Sequence, residues 1–376
     1  MSPPAGTVAV LGGYGDVGGA AARALWRTGV RDVRLGGRDG SRAAAAARAF
    51  GPEATGWPVD HRDAVSLAAF VAGANVVVDA ASTDADPGAG HRIAAAAREA
   101  GADLVTASDA DPAALGPVPS PRVVVTAAGL EPGLTALLPR WLAREFARVE
   151  TLWSCLAVLD RLSSLAARDY LYAASAGHSV SSAAWRHGPR RRALTRRTDV
   201  HLLGLSRPAE LRPHLDAEGQ RTAAALGVAR GDWYVAVLGE HVSAAFDRVG
   251  GLTAAEGAAL LENASALDLA GREPSVTLFV RLGGVPCTGP DGFRQHGAVL
   301  RAGRAAEVTG AVAALAGLAV LNGSVATGAW RAGETLDPAW VLDRLPSLIG
   351  ATLWTTAEPF ETAGPVEFAF VEEGAL

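Results

Sequence analysis

Lysine is missing: the chain of 376 residues carries 34 basic side chains, and all of them are arginine. No Schiff base can therefore form with the protein, and no ammonium group can act as general acid. A proton donor must be Tyr, His, Asp, Glu, Cys or water. A GC-rich coding bias, consistent with the excess of alanine and glycine, explains the absence equally well. Cysteine is scarce as well. Cys155 and Cys287 make no disulfide framework and have no metal-ligand spacing, so no metal site is expected. Tyrosine occurs only four times. The net charge of −5 gives no basic surface for nucleic acid or for a membrane. The longest apolar runs are too short or too interrupted to span a bilayer, and the N-terminus lacks the basic start and apolar core of a signal peptide. A cytoplasmic protein is expected. What is plentiful is apolar character, 49% of residues, over a length that accommodates two domains with sizeable cores.

The first informative feature is a short apolar run, Thr7 to Leu11, followed by Gly12-Gly13-Tyr14-Gly15-Asp16-Val17-Gly18 and an alanine-rich stretch to Thr28. Strand, glycine turn and helix in this order form a dinucleotide-binding fingerprint, here spaced G-x-x-G-x-x-G. Gly12 allows the tight turn, Gly15 lets the backbone approach a pyrophosphate at a helix N-terminus, and Gly18 permits close packing. Gly12 through Gly18 are all candidate cofactor contacts. The next strand ends in Gly36-Gly37, followed by Arg38-Asp39. NAD sites usually place a carboxylate at this strand end for the ribose 2′-hydroxyl. A guanidinium there instead suits a 2′-phosphate, so Arg38 points to NADP(H) over NAD(H). The alternative makes Arg38 a solvated loop residue and Asp39 the ribose ligand or the cap of the following helix.

Strands are predicted at Thr7–Leu11, Val33–Leu35, Thr55–Val59, Val76–Asp79, Leu104–Thr106 and Val123–Thr126. Helices are predicted between them at Asp16–Thr28, Ser41–Phe50, Arg62–Ala72 and Gly88–Ala100. This rhythm is that of a doubly wound parallel sheet, a Rossmann domain. Ligands of such sheets lie beyond the carboxyl ends of the strands. That places Asp60 at the adenine end, Ala81 and Ser82 at the dinucleotide bridge or the nicotinamide, and Ser108 near the nicotinamide. Asp60 alternatively caps the next helix. After Gly129 the rhythm changes to a mixed α+β pattern, expected to form a second domain for substrate binding and dimerisation. It includes a helix at Leu134–Phe146, strands at Val149–Val158, Val200–Leu205, Trp233–Leu238 and Val276–Arg281, and helices at Arg161–Ala176 and Arg304–Asn322. The expected division is 1–130, 131–340, and a segment 341–376 packing back on the first domain, with a homodimer as the assembly.

Hydride transfer needs a proton source. Tyr170, beside Asp169 and roughly two helical turns before His178, can share a helix face with it. A Tyr170 or His178 donor oriented by Asp169 is the working reading; a plain amphipathic helix is the other. His241, following the Trp233–Leu238 strand, is a second candidate. Arg186, Arg190, Arg191, Arg192, Arg196 and Arg197 read either as a solvated loop or as a docking face for an anionic substrate or an acidic carrier protein.

Gly12 to Gly18, Gly36 to Asp39 and Val59-Asp60 together resemble the NADP-binding domain of the saccharopine dehydrogenase-like reductases. Ala128-Gly129-Leu130-Glu131-Pro132-Gly133 resembles that family's turn at the end of the nucleotide domain. Thr309 to Arg331 resembles its late helix and following turn. Residues 150–295 match poorly, and Thr106 with Ala107-Ser108 stands where relatives often carry an aspartate. The resemblance implies reduction of a C=N or C=C bond of a small molecule, with amino-acid-derived, natural-product or carrier-bound intermediates in range. A non-catalytic NADP(H) sensor or scaffold is the reading from another class.

Overall fold

The computed structural model describes residues 6–81, 86–175, 179–288 and 292–362. In chain order the first elements are β1 (Val8–Leu11), α1 (Asp16–Arg27), β2 (Val33–Gly37), α2 (Gly40–Arg48), β3 (Thr55–Pro58) and α3 (Ala64–Val71). There follow β4 (Val76–Asp79), α4 (Pro87–Glu99), β5 (Asp103–Thr106), β6 (Val123–Thr126) and α5 (Leu134–Leu142). The middle of the chain runs through β7 (Phe146–Leu159), α6 (Ser164–Ser175), β8 (Ser179–Ser181), β9 (Ala184–Arg186), β10 (Pro189–Arg190), β11 (Arg197–Leu202) and β12 (Ala209–Asp216). It continues through α7 (Ala217–Ala225), β13 (Arg230–Val237), α8 (Glu240–Arg248), α9 (Ala254–Leu269), β14 (Ser275–Pro286) and β15 (Arg294–Ala302). The last part holds α10 (Ala305–Leu321), β16 (Gly328–Arg331), α11 (Ala332–Thr335), α12 (Pro338–Leu342), α13 (Leu345–Ile349), β17 (Thr352–Thr356) and β18 (Glu361–Thr362).

Two compact units result. The first comprises Met1–Arg144, Arg168–Ala176 and Leu300–Leu353; the second comprises Glu145–Ala167, Gly177–Val299 and Trp354–Leu376. The first unit is built on a seven-stranded sheet in the order β16-β6-β5-β4-β1-β2-β3. Its neighbours are all parallel. Chain order reverses between β1 and β4, which makes that point the switch point of a doubly wound sheet. Every residue of β1 and β4 is buried, as continuous apolar strands covered on both faces must be.

The first unit extends further than the sequence reading allots to it. Residues 131–144 and 300–340, expected in the second domain, group with the nucleotide-binding sheet. The reason lies in α10, which is buried nearly all round from Val308 to Val320. A Cβ at Gly310 would lie 2.6 Å from Ala20 Cβ, so α10 packs against α1 at a distance only glycine permits. β16 then adds a seventh strand beside β6.

The second unit is a larger mixed sheet in the order β17-β15-β14-β7-β13-β12-β11-β18, with β8, β9 and β10 paired at its side. β7 pairs antiparallel with β14 and parallel with β13. One face buries Cys155, Leu211, Tyr234, Phe279 and Phe360 together. The helix expected over Leu134–Phe146 ends at Leu142, and Phe146 already belongs to β7. The arginine-rich stretch from Trp185 to Thr198 contains β9, β10 and the start of β11.

Candidate dinucleotide site

The glycine loop leaves β1 at Gly12, whose φ of +79° lies in the left-handed region that favours glycine. The Gly13 N–H donates to Gly36 O at 2.9 Å, fastening the loop to β2. A Cβ at Gly18 would sit 2.2 Å from Gly12 O, so α1 meets the loop as closely as backbone can. Gly15 is different. A Cβ there would meet only Gly12 O, at 3.1 Å, and beyond it lies space that no described atom fills. α1 begins next to this space, at Asp16 and Val17, with Gly15 as N-cap and no side-chain cap. Its first N–H groups and the positive end of its dipole therefore remain available to an anion. These residues fit the pyrophosphate of a dinucleotide.

At the end of β2, packing dictates both glycines. A Cβ at Gly36 would lie 2.5 Å from the Phe70 ring, and one at Gly37 would lie 2.3 Å from the Tyr14 ring. Tyr14 Oη accepts the Asp39 N–H at 3.0 Å. The Asp39 carboxylate accepts the Arg42 N–H at 3.0 Å and caps α2, the role foreseen as its alternative. Arg38 is exposed and, among the described residues, in no ion pair. Its charge is felt by Asp60, whose carboxyl is held below its ordinary range chiefly by the Arg62 N–H, with Arg62, His61 and Arg38 adding to the effect. Asp60 does not cap the following helix; Asp63 does, accepting from Val65 and Ser66. The bond from Arg62 at 3.0 Å instead closes a turn around Asp60, and Arg92 of α4 donates to His61 O at 3.3 Å.

Beyond β4 and β5 a buried hydrogen-bond chain orders the next two loops. Asp79 is 2% exposed; its Oδ1 accepts the Ala81 N–H at 2.9 Å and its Oδ2 accepts the Thr106 hydroxyl at 3.2 Å. Thr106 Oγ1 in turn accepts the Ser108 N–H at 3.2 Å. Asp79 and Thr106 are register partners, so Ala81 and Ser108 begin adjacent loops. Ser82 lies outside the described residues. Arg331, at the end of β16, reaches Asp109 at 4.0 Å and Asp111 at 3.5 Å and braces the Ser108 loop. The turn after β6 is set by Gly133 at φ +126°, where a Cβ would lie 2.5 Å from Ala127 O, and by the Leu130 N–H donating to Thr309 Oγ1 at 3.3 Å.

Tyr170 and Asp169 lie on α6, within the stretch Arg168–Ala176 that groups with the nucleotide-binding unit. Tyr170 is 37% exposed and Asp169 is half-buried. His178 lies outside the described residues. His241 opens α8 in the second unit, where its Nδ1 lies 2.8 Å from Asp268 Oδ1. The Asp268 carboxylate also accepts the N–H groups of His241 and Val242. Of the arginine cluster, Arg186 pairs with Asp232, Arg196 with Glu210 and Asp247, and Arg197 with Glu361. Half of the cluster is thus held by the protein's own carboxylates, while Arg190, Arg191 and Arg192 are exposed.

Sequence reasoning missed Asp79, Arg42 and Asp268. Asp79 carried a signal, an acidic residue ending the apolar run Val76-Val77-Val78. Asp268 carried none, because His241 is distant in sequence, and neither did the Arg42 side chain, which lies over the ring of the equally distant Tyr14.

A parallel sheet with an open, uncapped glycine loop at its switch point has the arrangement of a dinucleotide-binding Rossmann domain. Residues 8–126 match the family model of the saccharopine dehydrogenase NADP binding domain. Apo saccharopine dehydrogenase (L-Glu forming) from Saccharomyces cerevisiae shares the fold: it aligns over 94% of this chain and 99% of its own, at 15% identity and a TM-score of 0.67. GenD2 from gentamicin A biosynthesis, in complex with NAD, aligns over 92% of this chain and 94% of its own, at 14% identity and a TM-score of 0.41. Citrobacter sp. triphenylmethane reductase with NADP(H) aligns over 27% of this chain and 36% of its own, at 21% identity and a TM-score of 0.24. No curated protein sequence matches. The chain is thus saccharopine dehydrogenase-like in fold, with an NADP-binding domain, and the matched family is one of oxidoreductases. No helix among the described residues is long and apolar enough to cross a membrane.

Proposed function

We propose that this protein is an NADPH-dependent reductase that converts a C=N bond of a small amino-acid-derived or natural-product intermediate into an amine. The observation that carries the reading is the cofactor site: open space above Gly15, an uncapped α1, an exposed Arg38, and an Asp39 whose carboxylate caps α2. Bound NADPH supplies a hydride. The imine carbon takes the hydride, the nitrogen takes a proton, and the C=N π pair becomes the new N–H bond. Without lysine the protein cannot hold the substrate as a Schiff base, so the C=N bond that is reduced belongs to the substrate itself. Gly12 to Gly18 seat the pyrophosphate, Arg38 reads the 2′-phosphate, Asp60 lies at the adenine end, and Ala81 and Ser108 line the route to the nicotinamide.

Tyr170 is the proposed proton donor and Asp169 its orienting partner. Their place on α6, in the part that groups with the nucleotide-binding unit, supports this assignment. An iminium substrate already carries its proton, and there Asp169 would act by stabilising positive charge.

The deciding measurement is deuterium transfer from C4-labelled NADPH to a panel of cyclic imines, imino acids and enones. Label on the carbon of an imine substrate supports the proposal. Label only on enones assigns C=C reduction instead. Tight NADPH binding with no transfer to any member means a cofactor sensor.

A further inference from the structure

The turn between β2 and α2 holds a second cation that no family match and no sequence motif assigns. The Arg42 guanidinium carbon lies 4.6 Å from the centroid of the Tyr14 ring, within cation–π range. Tyr14 is a residue of the glycine loop, and its ring is clamped from the other chain segment. It occupies the room left by the missing Cβ of Gly37, and its hydroxyl accepts the Asp39 N–H at 3.0 Å. Arg42 sits in the first turn of α2, its own N–H bonded to the capping carboxylate of Asp39. Arg38 precedes that cap and Arg42 follows it, so two arginines flank the start of α2 along the chain. Neither is in an ion pair among the described residues. The carboxylate between them, Asp39, accepts a backbone N–H instead.

We infer that Arg42, stacked on Tyr14, is a second reader of the cofactor's 2′-phosphate, and that Tyr14 is the platform that holds it in place. The inference rests on the proposed NADPH site. Two cations with no carboxylate partner, near the strand end where the adenosine ribose of such a domain lies, suit a doubly charged phosphate monoester. Stacking matters because a free arginine loses rotamer freedom on binding; one laid on a ring has lost part of it already. The arrangement also links the loop under the pyrophosphate to the turn under the 2′-phosphate. Occupation of one position should then order the other.

The test is equilibrium binding of NADPH, NADH and 2′,5′-ADP to the full chain, followed by fluorescence or calorimetry. Arg42→Ala should weaken NADPH and 2′,5′-ADP by roughly tenfold to a hundredfold and leave NADH within about twofold. Tyr14→Leu should weaken NADPH in the wild-type background but add little once Arg42 is Ala, because the platform then has nothing to hold. Tyr14→Phe, which keeps the ring but loses the bond from the Asp39 N–H, should weaken NADPH less than Tyr14→Leu does. Thermal melts of each variant check that the fold persists. Arg42→Ala binding NADPH as tightly as wild type overturns the inference while the NADPH site stands. Equal losses for NADPH and NADH overturn it too, since Arg42 would then support the loop and not the phosphate. A wild-type chain that binds none of the three nucleotides overturns the cofactor site and the inference together.

Discussion

Under the proposed function, cofactor choice and proton delivery rest on single side chains, and each can be tested alone. Arg38→Ala should weaken NADPH by about tenfold to a hundredfold, the loss of one charge-assisted contact to phosphate, on the order of 1.5–3 kcal/mol. NADH should bind as before. Paired Kd measurements check this, and equal losses for both nucleotides would remove Arg38 from the 2′-phosphate. For the proposed donor, Tyr170→Phe should lower kcat by roughly 10²–10⁴ with NADPH affinity unchanged, because a donor's hydroxyl would act on substrate and not on the dinucleotide. Asp169→Asn is the necessary companion. If Asp169→Asn costs more than Tyr170→Phe, the substrate is an iminium and charge stabilisation matters more than donation. Normal turnover in both removes α6 from the chemistry. At this scale the sequence told half of the story. The glycines of the loop were legible because their spacing is fixed by local geometry. Asp79 was overlooked because its role depends on Thr106, which only strand pairing brings beside it.

Elements were legible where one segment suffices to define them. Apart from β3 (Thr55–Pro58), β1 to β6 are short, largely apolar runs bounded by glycine or polar residues, and all six fall within a residue or two of their predicted positions. β12 was missed because Ala209–Asp216 contains Pro213, which argues against a strand, yet Pro213 sits in register with Tyr234. α9 was missed despite a visible signal, the capping box of Thr253 and Glu256. The glycine loop and α1 form one element functionally, and Gly15→Val tests it. A valine there would fill the space above the loop without meeting more than Gly12 O at Cβ. The protein should stay folded, with a melting temperature near wild type, while NADPH binding disappears. Retained tight binding would place the nucleotide elsewhere. The contrast with Gly18 is instructive. There a Cβ would strike Gly12 O at 2.2 Å, so the same substitution should damage the fold itself.

The largest departure from sequence reasoning concerns where the first unit ends. An apolar helix such as α10 carries no record of which sheet it covers, since Val308, Val312 and Leu315 would suit any core. The structure returns the chain to the first unit after Val299, lays α10 on α1, and adds β16 to the sheet edge beyond β6. A Cβ at Gly317 would touch Val78 of β4 at 3.1 Å, so α10 also lies close over the middle of that sheet. Each large apolar side chain so buried is worth about 1.5–3 kcal/mol, while whole domains are stable by only about 5–15 kcal/mol. Losing the several that α10 buries should therefore unfold the unit. A chain ending at Val299 retains every residue of the glycine loop, of Arg38 and of Asp60, and would bind NADPH if residues 1–130 were self-sufficient. The expected outcome is the opposite: no cooperative melt for the nucleotide-binding unit and no measurable NADPH binding. Adding residues 300–353 as a separate peptide should not restore it at ordinary concentrations, because the contacts to α1 then carry the entropy of association. NADPH binding by the shortened chain at wild-type affinity would show that α10 is an accessory cover and not part of the nucleotide-binding core.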